Sequence, residues 1–250
     1  MRAIAIASVL AVTATATLAG DTRQYDFDDF NEIEVSAGVS VIIESGKNYS
    51  IEAEAIRGNL RRLKINQSGD TLEIDRKTSW GILGVGRRDR FEVTITLPEL
   101  SYAKASSGSS MEIDGPFNDD LALEVSSGAD LSFVGNLTGD LEVEASSGAS
   151  VTVTGISSDS VDAQASSGSS LSLEGTCQSI EADSSSGSAL TAERLECVEG
   201  DAHSSSGSSL SIFTSGKIKA KSSGGASLSV LGSPPVAETS GSGGGSISVR

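Results

Sequence analysis

Glycine returns at Gly108, Gly128, Gly148, Gly168, Gly187, Gly207, Gly225 and Gly244, in steps of 20, 20, 20, 19, 20, 18 and 19 residues. The apolar residues around it keep register. Three residues after each glycine stand Met111, Leu131, Val151, Leu171, Leu190, Leu210, Leu228 and Ile247. Five after it stand Ile113, Phe133, Val153, Leu173, Ala192, Ile212, Val230 and Val249. Seven before it stand Leu121, Leu141, Val161, Ile180 and Ile218, with Ser101 and Gly200 as exceptions. Five and three before it are mostly Ala or Val, such as Val143 with Ala145. Apolar spacing of two on both sides of a turn predicts two short strands per coil, each with one inward face. Ser-Ser-Gly alone reads as a flexible linker, but a linker has no reason to hold Leu and Val at fixed offsets.

A fixed period of this kind is the signature of a solenoid. The expected fold is all-β: a single-domain parallel β-helix of about 20 residues per coil, right-handed by the rule for parallel crossovers. The left-handed hexapeptide type needs an 18-residue coil with a six-residue subperiod, which this chain lacks. Glycine suits the corner because a tight bend calls for a left-handed backbone, and flanking serines satisfy backbone groups there. Gly115, Gly135, Gly155 and Gly175 end the second strand, and stretches such as Ile156 to Ser160 form a third, less regular side.

The chain before this repeat is strand-rich but irregular. Ser36-Ala37-Gly38 followed by Val41 and Ile43 copies the repeat offsets, as does Gly69 with Leu72 and Ile74. Residues 20–97 therefore read as irregular first coils that cap the stack, and 98–250 as the regular coils. Thr78 to Arg90 reads as a mobile loop, and its glycines make no nucleotide site because no helix follows. Residues 1–19 read as a signal peptide: Arg2, the apolar stretch Ala3 to Val12, then Thr17-Leu18-Ala19 as a small-x-small cleavage site. That stretch is too short to span a bilayer, and no later segment reads as a membrane span or barrel, so no integral anchor is expected. The expected location is periplasm, cell surface or medium. A net charge of −16 excludes nucleic acid as a partner, since phosphate binding needs clustered Lys and Arg.

Phe30-x-x-Ile33-x-Val35 with Val41-x-Ile43, then a strand ending Leu97-Pro98-x-Leu100, then coils of the form Ser-Gly-x-x-Leu, follow one another in a recognisable order. Over roughly residues 25 to 230 the chain resembles the bacterial "putative auto-transporter adhesin, head GIN domain" family. The resemblance implies an exported β-helix of the cell envelope with no catalytic residues to carry over, and adhesion as its role.

Cys177 and Cys197 each lie ten residues before a corner glycine, so they fall one above the other in neighbouring coils. The coil spacing of about 4.8 Å lies within disulfide reach, and an exported chain would bridge them. Two free thiols in a stacked column are the other possibility; two ligands do not complete a zinc site. His203, the sole histidine, lies on the outward parity among serines repeated in every coil, so it reads as a surface residue rather than part of a triad. The same parity lines up Glu142, Asp162, Glu181 and Asp201 in one column and Glu124, Glu144, Asp183 and His203 in the next, interrupted by Gln164. Lys219 and Lys221 follow in the next coil. Like charges about 4.8 Å apart repel by about 0.9 kcal/mol even in water. The columns therefore read as a solvated acidic face, with weak calcium binding by Glu142, Asp162, Glu181, Asp201, Glu144 and Asp183 as the alternative. No other cofactor is expected.

Parallel β-helices also host lyases and glycosidases, which need paired carboxylates in a cleft and sugar-stacking aromatics. Trp80 is the one tryptophan, and Asp119-Asp120 reads as a turn. The expectation is a non-catalytic interaction module whose partner is a protein or an envelope polysaccharide, with a glycan-binding or glycan-cleaving β-helix as the alternative. Ile247 and Val249 fall on core offsets in the last coil, which suggests end-to-end self-association through an open strand edge.

Overall fold

The computed structural model describes residues 21–77 and 89–250. The signal-peptide reading of residues 1–19 and nearly all of the Thr78 to Arg90 loop lie outside the described residues. Nineteen strands form one hydrogen-bonded sheet wound into a β-solenoid. The eight repeat glycines mark corners separated by seven turns of about 20 residues.

The N-terminal segment opens with β1 (Asp21–Tyr25), β2 (Glu32–Val35), β3 (Ser40–Ser45), β4 (Ser50–Arg57), β5 (Leu63–Ser68), β6 (Thr71–Arg76) and β7 (Arg90–Leu97). Strands β2 and β3 are one coil, with Ala37 and Gly38 at its left-handed corner (φ +59° and +72°). The chain then leaves the stack, makes β4 and β5, and returns as β6 and β7 alongside β2 and β3. Next it crosses that coil to form β8 (Tyr102–Ala105) and β9 (Ser110–Asp114) on the other side. The coil made first is thus sandwiched: Ile33 lies between Leu72 and Ala103, and Val41 between Val93 and Met111.

Two parts of the N-terminal expectation need correction. The irregular coils are β2–β3 and β6–β7, but the segment is not coils alone, because β1 and β4, β4 and β7, and β5 and β6 pair antiparallel. Gly69 is not a coil corner. It begins the two-residue turn Gly69-Asp70 that closes the β5–β6 hairpin, with Ser68 opposite Thr71. Leu72 and Ile74 are inward all the same, since they stack on Ile33 and Val35.

Beyond β9 the coils follow in order. Strands β10 (Leu121–Val125), β11 (Asp130–Leu137) and β12 (Leu141–Ala145) lead into the long strands β13 (Ser150–Ala165), β14 (Ser170–Ser184), β15 (Ala189–Ser204) and β16 (Ser209–Ser222). The third side is more regular than the sequence suggests. From β13 onward the ladder runs through it, pairing Ser157 with Thr176 and Ser158 with Cys177 across a bulge at Thr154/Ile156. Strands β17 (Ser227–Leu231), β18 (Val236–Gly241) and β19 (Ser246–Val249) complete the series. The last two pair with β16 and β17, and Val236 and Val249 stay exposed.

The corners explain the Ser-Ser-Gly triplet. Ser107 and Gly108 both take positive φ (+55° and +69°), and the Ser109 N–H donates to the Ser106 carbonyl at 3.2 Å. This is the pattern of a type I′ turn, which needs two left-handed residues in succession. The serine shares the strained backbone with the glycine, a feature that offsets alone do not show. The last two corners use Gly224-Gly225 and Gly243-Gly244 instead. Inward positions are filled by stacked copies of Leu, Ile, Val, Phe and Ala, nearly all fully buried. Near the corner, hydroxyls replace methyls in the later coils. Buried Ser188 donates to the Ala165 carbonyl (2.8 Å), accepts from the Ser185 N–H (3.1 Å) and meets Ser184 Oγ at 2.9 Å. Ser208 and Ser204 repeat the arrangement, so these buried polar groups are satisfied between coils.

Candidate functional site: the outward ladder

Residues six and four before each repeat glycine, joined from Gly128 onward by the residue eight before it, point outward and stack into three columns on one flank of the solenoid. One column reads Asp120, Asp140, Ser160, Ser179, Glu199, Lys217. The middle one reads Tyr102, Ala122, Glu142, Asp162, Glu181, Asp201, Lys219, Glu238. The third reads Lys104, Glu124, Glu144, Gln164, Asp183, His203, Lys221. The two acidic lines read from the sequence are therefore in register as expected. Parallel stacking sets neighbours in a column about 4.8 Å apart, while residues two apart in one strand lie about 6.6 Å apart.

The first column partly serves the fold. Asp120 accepts the Asp140 N–H and Asp140 accepts the Ser160 N–H, both at 2.9 Å, so these carboxylates bridge coils at the bend. Asp120 is thus bound into the turn, as its sequence context suggests.

Two clusters break the monotony of the other columns. Glu124 receives Lys104 Nζ at 2.7 Å and the Tyr102 hydroxyl at 2.6 Å. The Lys104 bond, then the Tyr102 bond, hold its carboxyl below the usual range against opposing burial. Tyr102 is pushed up in turn, by burial first and by Glu124 second. Lower in the stack, His203 Nε2 lies 2.9 Å from Asp201 Oδ1, and its Nδ1 lies 3.7 Å from Asp183 Oδ1. Burial raises Asp183 above the usual carboxylate range; His203 opposes this, while Asp162 and Asp201 add to it. The sequence placed His203 on the surface but gave no sign that two aspartates would stand beside it.

Glu142, Asp162, Glu181, Asp201, Glu144 and Asp183 face outward in lines. Among the described residues, no group of three or more His, Cys, Asp or Glu side chains gathers where it could hold a metal ion. Cys177 and Cys197 are ladder partners and form a disulfide, with Cα atoms 4.5 Å apart. Both are buried in the third side.

The charge of the flank changes sign abruptly. Five successive coils carry acids, and then Lys217, Lys219 and Lys221 fill all three column positions of the next coil. Lys219 and Lys221 continue the two acidic lines evident in the sequence, while Lys217 belongs with Glu199 to the column beside the bend. At the step a cleft of about 270 Å³ opens, lined by Ser160, Ser179, Ile180, Glu181, Glu199, Gly200, Asp201, Lys217 and Lys219. At the capped end, Asp89 is buried and held by Arg62 at 2.6 Å, beside Arg57, Gly58 and Asn59. Sequence reasoning gave no signal for that pair.

Solved structures share this architecture. A "putative lipid binding protein" from Parabacteroides distasonis aligns with a TM-score of 0.81 at 17% identity, over 93% of this chain and 97% of that one. A "putative adhesin" from the same species aligns with a TM-score of 0.82 at 16% identity, over 92% and 98%. Another "putative adhesin", from Parabacteroides merdae, gives 0.81 at 16% identity, over 93% and 97%. At such identities the likeness is one of fold. No curated protein matches the chain. The family model described as "putative auto-transporter adhesin, head GIN domain" matches residues 29–234, most of the chain's length, and the chain belongs to that family.

Proposed function

We propose that this protein is an exported, non-catalytic adhesin-like module of the cell envelope that binds an envelope polysaccharide along its outward ladder. The observation that carries this reading is the flank itself: three columns of polar and charged side chains kept in register through the regular coils. A repeated surface of this kind suits an extended partner, because successive coils present polar side chains at the same spacing. Family membership supports an adhesin-like role. The Cys177–Cys197 disulfide fits an oxidising compartment outside the cytosol. The apolar stretch after Arg2 supplies a leader for export.

The non-catalytic part of the proposal rests on how the ionisable groups are engaged. Glu124 is tied to Lys104 and Tyr102. An array of bacterial envelope polysaccharides, probed with and without calcium beside a reducing-end assay, tests both parts. Binding to a subset without release of new reducing ends is expected. Cleavage would overturn the non-catalytic reading, and binding to no glycan would overturn the polysaccharide partner in favour of a protein.

A further inference from the structure

The cleft at the charge step has an unusual electrostatic make-up. Glu199 and Asp201 line one side with Glu181 a coil behind them, and Lys217 and Lys219 line the other, one coil from Glu199 and Asp201. Ladder pairing sets Glu199 against Lys217 and Asp201 against Lys219, yet neither lysine closes an ion pair among the described residues. Asp201 turns instead to His203, at 2.9 Å. Glu181 and Glu199 also make no ion pair among the described residues. Two rows of opposite charge thus stand open, side by side, about 4.8 Å apart.

Charge complementarity selects among occupants. A purely anionic chain would meet two lysines and three carboxylates in the same cleft, so attraction and repulsion nearly cancel. A polycation is drawn to the acidic coils but leaves Lys217 and Lys219 unpaired and is repelled by them at the step. A second copy would have to set its own acidic coils against these, since one lysine row serves a flank of five acidic ones. A ligand with an amine and a carboxylate on neighbouring units satisfies both rows at once. We propose that this cleft docks a dipolar glycan: an envelope polysaccharide bearing free amines, which meet Glu181 and Glu199, and carboxylates, which meet Lys217 and Lys219. This rests on the reading of the outward ladder as a polysaccharide-binding surface and names the chemistry it prefers.

The test measures binding of the full chain to three polymers by biolayer interferometry. N-deacetylated heparosan carries alternating amines and carboxylates, heparosan carries carboxylates alone, and chitosan oligosaccharides carry amines alone. The first is expected to bind at least tenfold more tightly than either of the others. K217Q/K219Q and E181Q/E199Q should each remove that preference, with melting temperatures close to that of the parent chain. K217Q/K219Q should leave any residual chitosan binding intact, and E181Q/E199Q any residual heparosan binding. Equal affinity for the three polymers would overturn the proposal, as would a preference that survives both pairs of substitutions. If the chain ignores all three yet binds other glycans on the array, the dipolar site is wrong and the polysaccharide reading stands. If it binds no glycan anywhere, both fall.

Discussion

Gly148 and Gly155 are seven residues apart in one coil, and both take a left-handed backbone (φ +74° and +87°). A methyl group added to them should nevertheless have very different effects. At Gly148 nothing lies within 4 Å of the new Cβ, so only the backbone conformation is strained. That strain is about 1–2 kcal/mol for an L-residue, offset by about 0.4–1 kcal/mol from the stiffer unfolded chain. Gly148→Ala should therefore cost about 1 kcal/mol. At Gly155 the new Cβ would overlap the Gly135 carbonyl oxygen and lie 2.8 Å from its carbon. This is backbone of the coil below, at the bulge between the Val134–Thr154 and Leu137–Ile156 pairs, so it is not the far end of a side chain that could swing aside. Adding about 1–3 kcal/mol for overpacking brings Gly155→Ala to about 3 kcal/mol. For a chain of this size, about 1 kcal/mol corresponds to about 2–4 °C in Tm. Thermal unfolding followed by circular dichroism should then show Gly148→Ala lowering Tm by about 2–4 °C and Gly155→Ala by about three times as much. Equal shifts, or a larger one for Gly148→Ala, would refute the distinction between a corner that needs only a backbone angle and a column that also needs space.

Further consequences can be measured on the same footing. The disulfide closes a loop of 20 residues, so C177A/C197A should lose about 3 kcal/mol of stability in the chain-entropy treatment, read as a fall in the denaturation midpoint. A midpoint within error of the parent would show that stacking alone holds these coils. Glu124 has a lowered carboxyl pKa, so its charged form stabilises the fold above its ordinary value of 4.5 and loses that effect as pH falls through the lower, folded value. Glu124→Gln should accordingly be less stable than the parent at pH 7, with the gap closing under acid conditions. A gap that does not change with pH would mean that the side chain's packing, not its charge, matters.

Much of this structure could be read from the sequence because stacking makes every coil solve the same problem. Leu131, Val151 and Leu171 fall at one offset since each must cover its copy above and below, and the cysteine pair follows from the same register. The failures came where that repetition is absent or coincidental. Gly69 shares the offsets of a corner glycine, but the hairpin it serves sends Leu72 to the opposite strand of the coil. The sandwiching of β2 and β3 between strands made later leaves no periodic trace, because the chain doubles back antiparallel before rejoining the stack. At the candidate site, the columns were legible from parity. The choice of partners within them was not, for His203 could have met Lys221 or either aspartate. Side-chain reach decides that, and the sequence carries no direct record of it. The same holds for the lysines left open at Lys217 and Lys219, which define the cleft.

The central claim is that the outward ladder, and not the capped end, is where a partner binds. Covalent footprinting of carboxylates and amines by mass spectrometry, with and without the tightest-binding polysaccharide from the array, tests it directly. The account predicts that bound glycan shields Glu181, Glu199, Lys217 and Lys219 from labelling and leaves the exposed Lys64 and Asp75 near the cap unchanged. Shielding confined to the cap, with the ladder still fully labelled, would contradict it.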